Sequence, residues 1–401
     1  MKKVLLFLII ISSVSVFSQD EKFLVISRNT DYVQLDDTTN VRIMGYTRTL
    51  SAPSKIPGPL LVFTEGDSVE IDLWNVSQGA PHTIHLHGLD VNQANDGVPM
   101  LSFDVAHMDH GFYRFKAPEP GTYIYHCHVT SSVHVQAGMY GMVVVTPKYP
   151  ELTWEGGYEI TVDNQIITSE VDVDWHHDSI IEHDHTATAL HQVRVPVYNP
   201  TFFLANGYGF NSVTDKAIEI STGNNNLLRL ANIGNYGNKF IFPQSVKATI
   251  ISSDGRRLPA EYIADSLTIL PGERFQILLN SSQLGNDSMA IKYFSLNTQL
   301  VEGLQHYPII VDVIESIEDE MISSTFSIYP NPATSQVNFD FKNEHPNKVE
   351  IVDINGRTIH TIRKESIQKT TIFIISNLPR GEYLIKCIYN TKVVTRALII
   401  E

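Results

Sequence analysis

The sequence predicts an all-β protein arranged as three β-sandwiches in a row. Three observations carry this. Short segments alternate apolar and polar residues, as in Ser68-Val-Glu-Ile-Asp-Leu-Trp74, with Gly, Pro, Asn and Asp turn residues between them. The pattern then repeats. Gly66 with Val69-Glu-Ile-Asp-Leu-Trp-Asn-Val76 is answered by Gly223 with Asn226-Leu-Leu-Arg-Leu-Ala-Asn-Ile233, each a glycine turn, an alternating strand and an asparagine. After Val313 the composition shifts to Glu-Ser-Ile-Glu-Asp-Glu320, which separates the repeat from a last group of short strands. Many short strands with such punctuation pack as Greek-key sandwiches.

The elements follow in order. Met1-Lys-Lys3 precedes the apolar run Val4–Ile11, and Val16-Phe-Ser18 suits a cleavage site, so 1–18 reads as a secretory signal peptide, too short for a membrane span. Residues 19–147 form the first sandwich, whose last strand, Tyr140–Val145, stops before Pro147. The second occupies 148–316, a linker 317–325, and the small final domain 326–401, with turns at Asn355-Gly356 and Pro379-Arg-Gly381. A chain of 401 residues lets each part bury a core. The net charge is −15 with no Lys/Arg cluster, which makes nucleic acid and anionic membranes poor partners. The two cysteines, Cys127 and Cys387, offer no disulfide framework once Cys127 has another use.

That use is suggested by Tyr123-Ile-Tyr-His-Cys-His-Val-Thr-Ser-Ser-Val-His-Val-Gln-Ala-Gly-Met139 together with Pro81-His-Thr-Ile-His-Leu-His-Gly88. A soft thiolate, imidazoles and a thioether are the donors of a blue-copper site, trigonal His₂Cys with a long axial Met. If 82–87 and 123–128 are strands, alternation sorts the residues. His82, Cys127, His134 and Met139 gather at one copper, while His85, His87, His126 and His128 form a second group behind it. The competing reading is a buried free cysteine among core histidines.

These motifs resemble the multicopper oxidases, the family of laccases and their two-domain relatives. The resemblance extends to Pro57-Gly-Pro-Leu-Leu-Val-Phe-Thr-Glu-Gly-Asp67, Asp96-Gly-Val98 and Gly121-Thr-Tyr-Ile-Tyr125. It implies cupredoxin-like sandwiches, type 1 copper at His82, Cys127, His134 and Met139, and type 2/type 3 copper at the other four histidines. It also implies a proton-relaying Asp96, an electron donor that is a small molecule or a protein, oxygen as acceptor, and a homotrimer in which first and second domains of neighbouring chains meet. Cys127 and His134 stand further apart than in typical laccases. The repeat also puts Lys239, Phe242 and Gln244 where the first domain has His82, His85 and His87, so the second domain lacks matching ligands. A single-copper electron carrier and a nitrite-reductase-like enzyme are the alternative readings.

Two other tracts remain. Asp172-Val-Asp-Trp-His-His-Asp-Ser-Ile-Ile-Glu-His-Asp-His185, followed by His191, reads as a solvated polar loop or as a further source of metal ligands; His107 and His110 read as a surface turn or a lip near the copper. Phe326-Ser-Ile-Tyr-Pro-Asn-Pro-Ala333, Val349-Glu-Ile-Val-Asp-Ile-Asn-Gly356 and Asn377-Leu-Pro-Arg-Gly-Glu-Tyr-Leu-Ile385 resemble the C-terminal sorting domain of type IX secretion. That resemblance implies contact with the secretion machinery and a secreted or cell-surface protein.

Overall fold

A computed structural model describes residues 20–181, 194–209, 217–312 and most of 326–400. The expected signal peptide 1–18 and linker 317–325 lie outside the described residues. The chain divides into two compact units, Met1–Ile314 and Glu315–Glu401. No helix among the described residues is long and apolar enough to cross a membrane.

The first unit opens with β1 (Asp20–Gln34), β2 (Asn40–Thr47), β3 (Leu61–Thr64), β4 (Ser68–Asn75), β5 (His85–His87), β6 (His110–Lys116), β7 (Gly121–His126) and β8 (Tyr140–Thr146). One sheet runs β2-β1-β4-β6 and the facing sheet β3-β8-β7-β5. In β4, Val69, Ile71 and Leu73 are buried while the residues between them are partly exposed. The buried set packs with Phe63, Tyr123, Tyr125, Val143 and Val145 in one apolar layer. β7 is different, because every residue from Gly121 to His126 is buried. Tyr123 and Tyr125 point into this layer, whereas Ile124 joins Tyr140, Met142 and Val144 against Ile167, Val171 and Leu204 of the following sandwich.

That second sandwich consists of β9 (Val162–Val171), β10 (Phe202–Ala205), β11 (Ile218–Ser221), β12 (Asn226–Asn232), β13 (Gly237–Ile241), β14 (Lys247–Ser253), β15 (Arg256–Ile263), β16 (Ser266–Ile269), β17 (Arg274–Asn280), β18 (Gly285–Phe294) and β19 (Val301–Asp312). Its sheets run β10-β9-β12-β17-β14-β15 and β11-β19-β18-β13-β16, around Leu228, Leu230, Phe240, Ile277, Ile291 and Tyr293. The sequence repeat is a structural repeat. β4 pairs in parallel with β1, and β12, its counterpart, pairs in parallel with β9. The turn glycines Gly66 and Gly223 both hold positive φ, at 87° and 75°.

Polar grips accompany the apolar contact between the two sandwiches. Arg229 of β12 is buried, and its Nε donates to the Asp163 carboxylate at 2.8 and 3.0 Å while Nη1 donates to Thr122 Oγ1 at 3.2 Å. The Gly255 turn lies against the Tyr123 ring, whose hydroxyl donates to the Gly255 carbonyl at 3.4 Å. The second unit is a separate sandwich. Its sheets are Phe326–Tyr329, Gln336–Phe341 and Thr370–Ile374, and Thr358–Arg363, Lys348–Asp353, Gly381–Ile388 and Val393–Ile400, over Phe339, Ile351, Ile385 and Leu398.

One buried acid makes this architecture pH-dependent. Glu170 of β9 accepts from the backbone N–H groups of Asn235 and Tyr236 and from the Tyr198 hydroxyl, and burial pushes its carboxyl up to about 7 from 4.5. The folded value lies above the unfolded one. Its contribution is therefore fully present below pH 4.5 and lost as pH rises through about 7. Glu170→Gln should raise the thermal midpoint near neutral pH and above, by an amount worth up to roughly 3 kcal/mol, and change it little near pH 4.5. Thermal unfolding followed across that range checks this, and a parallel shift at every pH contradicts it.

Candidate metal centres

Cys127 is the first residue beyond β7 and continues the inward face of Tyr123 and Tyr125. Its N–H donates to the Met139 carbonyl at 3.0 Å, which brings the outgoing and returning chains together. Between them lies a helix, α1 (Ser131–Gln136), which carries His134 and accounts for the long spacing from Cys127. Cys127 Sγ lies 3.2 Å from His134 Nδ1 and 3.7 Å from His82 Nδ1. His82 is not on the expected strand 82–87, which begins only at His85. β7 ends at His126, opposite His85, so earlier residues have no ladder partner there. His82 pairs instead with Val105, through two backbone hydrogen bonds of 3.0 and 2.9 Å.

His82, Cys127, His134 and Met139 all have 0% exposure. Burial pushes the Cys127 thiol up to about 11, with hydrogen bonds to Thr83, Val129 and Tyr46 pulling the other way. Such a thiol keeps its proton until a cation displaces it. Two imidazole Nδ1 atoms converging on one buried sulfur, with a methionine in the same cluster, match the donor set of a type 1 copper site.

The second group sits on the outward side of the same strands. The register pairs His85 with His126 and His87 with Ile124, and ring nitrogens of His85, His87 and His126 lie within 4.8 Å of one another. The His128 ring stands 5.2 Å from that of His85 and 5.9 Å from that of His126. His85 Nδ1 donates to the Asp96 carbonyl at 2.7 Å and lies 3.5 Å from its carboxylate; His126 Nδ1 donates to the Cys127 carbonyl at 3.0 Å. These bonds fix the tautomers and leave each Nε2 without a proton, that of His126 standing 3.4 Å from His87 Nδ1. The Asp96 loop can approach because Gly97 has φ +78°; a Cβ there would lie 2.0 Å from the Ile84 carbonyl oxygen. Burial lowers His85, takes His87 down to about 4 and His126 down to about 3, so these rings are neutral near pH 7.

The second sandwich presents a cation and a glycine here. A Cβ on Gly272 would meet His87 Cε1 at 3.2 Å, and the Arg274 guanidinium presses on Gly88, where a Cβ would lie 2.1 Å from Nη2. Of the repeat-matched positions, Phe242 is buried in the second core while Lys239 and Gln244 are exposed. Sequence reasoning missed Arg274. Its signal was an arginine at a buried strand position in Pro271-Gly-Glu-Arg-Phe-Gln-Ile-Leu278. It also missed Tyr46, whose hydroxyl donates to the Thr83 carbonyl at 2.5 Å beside Cys127.

The histidine-rich tract is corrected at its start. His176 belongs neither to a solvated loop nor to an accessible ligand set. It is buried, with Nδ1 donating to the Arg42 carbonyl at 2.6 Å and Nε2 3.4 Å from Gln136 Nε2, because Val173–His176 packs onto α1. His183, His185 and His191 lie outside the described residues. His107 Nδ1 donates to the Ser77 carbonyl, and His110 opens β6 and bonds the Asp72 carboxylate at 2.8 Å.

Comparison with known proteins agrees with this geometry. Residues 36–150 and 171–311 each match a multicopper oxidase family, and residues 327–401 match the secretion system C-terminal sorting domain. The copper resistance protein A homolog of Pseudomonas syringae pv. tomato is 43% identical over 115 residues, which are 28% of this chain and 19% of that protein. The iron transport multicopper oxidase FET3 of Saccharomyces cerevisiae is 24% identical over 64% of this chain and 38% of its own length. The chain thus spans about a fifth to two-fifths of these relatives. The blue copper oxidase structure from Nitrosomonas europaea superposes with a TM-score of 0.58 at 25% identity, covering 73% of this chain and 86% of that one. The chain belongs to the multicopper oxidases, with two domains of that copper-binding family followed by a type IX sorting domain.

Proposed function

We propose that this chain is an exported oxidase of the laccase type, collecting single electrons at a buried blue-copper site for oxygen reduction at the four-histidine group. The observation that carries the reading is Cys127 between His126 and His128 at the end of β7. Alternation turns the thiol to the inward group and its neighbours to the outward one, so a few covalent bonds join the two. When bound, copper supplies one-electron chemistry at the thiolate and oxygen activation at the imidazoles. His82, Cys127 and His134 would hold the copper of the first site, and Met139, in the same cluster, would tune it. His85, His87, His126 and His128 are the proposed ligands of the second, where Asp96 orients His85 and relays protons through its partly exposed carboxylate. The likeness to blue copper oxidase and to copper resistance protein A supports this reading.

The electron donor is a small molecule or a protein. A homotrimer would let a neighbouring copy complete the outward group, to which the chain's own second domain brings no histidine among the described residues. His176 is excluded from that role by its own buried bonds. The proposed division is a signal peptide 1–18, cupredoxin domains 19–147 and 148–316, and the sorting domain 326–401. A single-copper electron carrier is the second reading, favoured by one observation: Arg274 and Gly272, rather than a histidine, pack beside His87.

Three experiments test these readings. Cys127→Ser removes the soft thiolate and should abolish the intense visible absorption of the copper-loaded protein; a colourless oxidised wild type would refute the blue site. In the purified oligomer, His85→Ala with His128→Ala should lower the copper count while the blue colour persists. An unchanged count leaves the carrier reading in place. Deleting 326–401 should leave a folded, copper-binding protein that accumulates inside the cell envelope, since the sorting unit has its own core. Fractionation with metal analysis reads this directly, and normal export of the truncated chain would contradict the sorting role.

A further inference from the structure

The four proposed ligands of the first site have no solvent exposure, so a reductant cannot touch them and electrons must pass through the residues that cover them. The cover over His134 is the segment Val173–His176 with α2 (Asp178–Ile181). Ile181 joins Cys127 and Met139 in one apolar cluster, and Trp175 with Ile180 packs on Val133, the residue bonded to His134. Trp175 is 9% exposed and lies between Val133, next to the ligand in the chain, and the exposed residue Pro196. The ring is held in place. Its Nε1 donates to the Pro196 carbonyl at 3.1 Å, and Tyr198 stands edge-on at 5.2 Å with its hydroxyl 2.8 Å from Gln136 Oε1 of α1. Beside it, Val195, Pro196 and Val197 form an exposed apolar strap, with Val197 91% exposed.

We propose that Trp175 is the port through which reductants deliver electrons to the blue-copper site, an inference that rests on the function proposed above. A donor seated against Trp175 and the Val195–Val197 strap loses one electron, the oxidised copper gains it, and the indole ends as it began. A phenolic donor releases its proton to water. The route has one van der Waals step, from indole to Val133, and then covalent bonds to the His134 ring. A competing cover exists over His82. There Phe103 stacks on the buried Tyr113 at 4.7 Å, and the Tyr113 hydroxyl accepts from the Ile84 N–H at 2.9 Å. That stack meets the surface with a phenyl ring, a poorer electron relay than an indole.

The test uses the full copper-loaded chain without oxygen, following the loss of blue absorption after mixing with hexacyanoferrate(II) or a hydroquinone. Trp175→Leu should slow bleaching by both donors several-fold, with the copper count, absorption spectrum and reduction potential unchanged. Trp175→Phe keeps most of the packing volume and should also slow it, to a smaller degree. Undiminished rates in both variants, or slowing accounted for by a shifted potential, overturn the proposal. So does slowing in Phe103→Leu instead. Loss of copper from both Trp175 variants also overturns it, because the indole would then belong to the ligand cage. A wild type without thiolate absorption removes the site reading and this inference together, whereas a blue wild type with fast Trp175 variants removes this inference alone.

Discussion

The antiparallel pairing of β5 with β7, His85 opposite His126, governs the chemistry of this chain. A strand presents successive side chains to opposite faces. Slipping this pairing by one residue would turn Cys127 outward and bury His126 and His128 in the apolar layer around Phe63 and Tyr125. The register is protected on both sides. Inward, Tyr123 and Tyr125 pack with Val143 and Val145; outward, Ile124 is covered by the second sandwich. A strand buried on both faces has little freedom to shift, so the directions of the candidate donors it carries are fixed by packing.

Much of this was legible in the residues. Two-residue alternation sorted six of the eight candidate ligands into two groups, with His134 and Met139 added to one from the donor set, and the structure gathers His82, Cys127 and His134 in one and His85, His87 and His126 in the other, with the His128 ring alongside. The internal repeat surfaced as two parallel pairs with the same glycine turns. Less visible was everything that depends on long-range contact. His82 left the strand because β7 is too short to pair with it, a length that local pattern does not encode. His176 looked like part of a polar loop because its Asp-rich neighbours are polar. Its burial comes from α1 and the Arg42 carbonyl, both distant in sequence.

The second sandwich has Lys239, Phe242 and Gln244 where the first has His82, His85 and His87, but it is more than ballast. Arg229, Arg256 and Arg274 reach the first sandwich at Thr122, Tyr123 and Gly88, and each guanidinium has a carboxylate of its own in Asp163, Asp90 with Glu119, and Asp254. The buried pairs of Arg229 and Arg274 lie within the second sandwich, where each carboxylate holds its guanidinium in place. Arg229 so held bonds Thr122 at the start of β7, and Arg274 lies against Gly88 after His87, whereas the exposed Arg256 pairs across to Asp90 and Glu119 and adds little.

The complete burial of the inward ligands also bears on how an ion enters and leaves. No ion reaches donors that solvent does not touch until some covering element moves, and the cover over His134 is Val173–His176 with the single short helix α2. Metal uptake and loss then follow the local opening of that helix rather than the affinity of the donors. An ion seated there would exchange slowly, and an added chelator would face the same barrier that first kept the ion waiting.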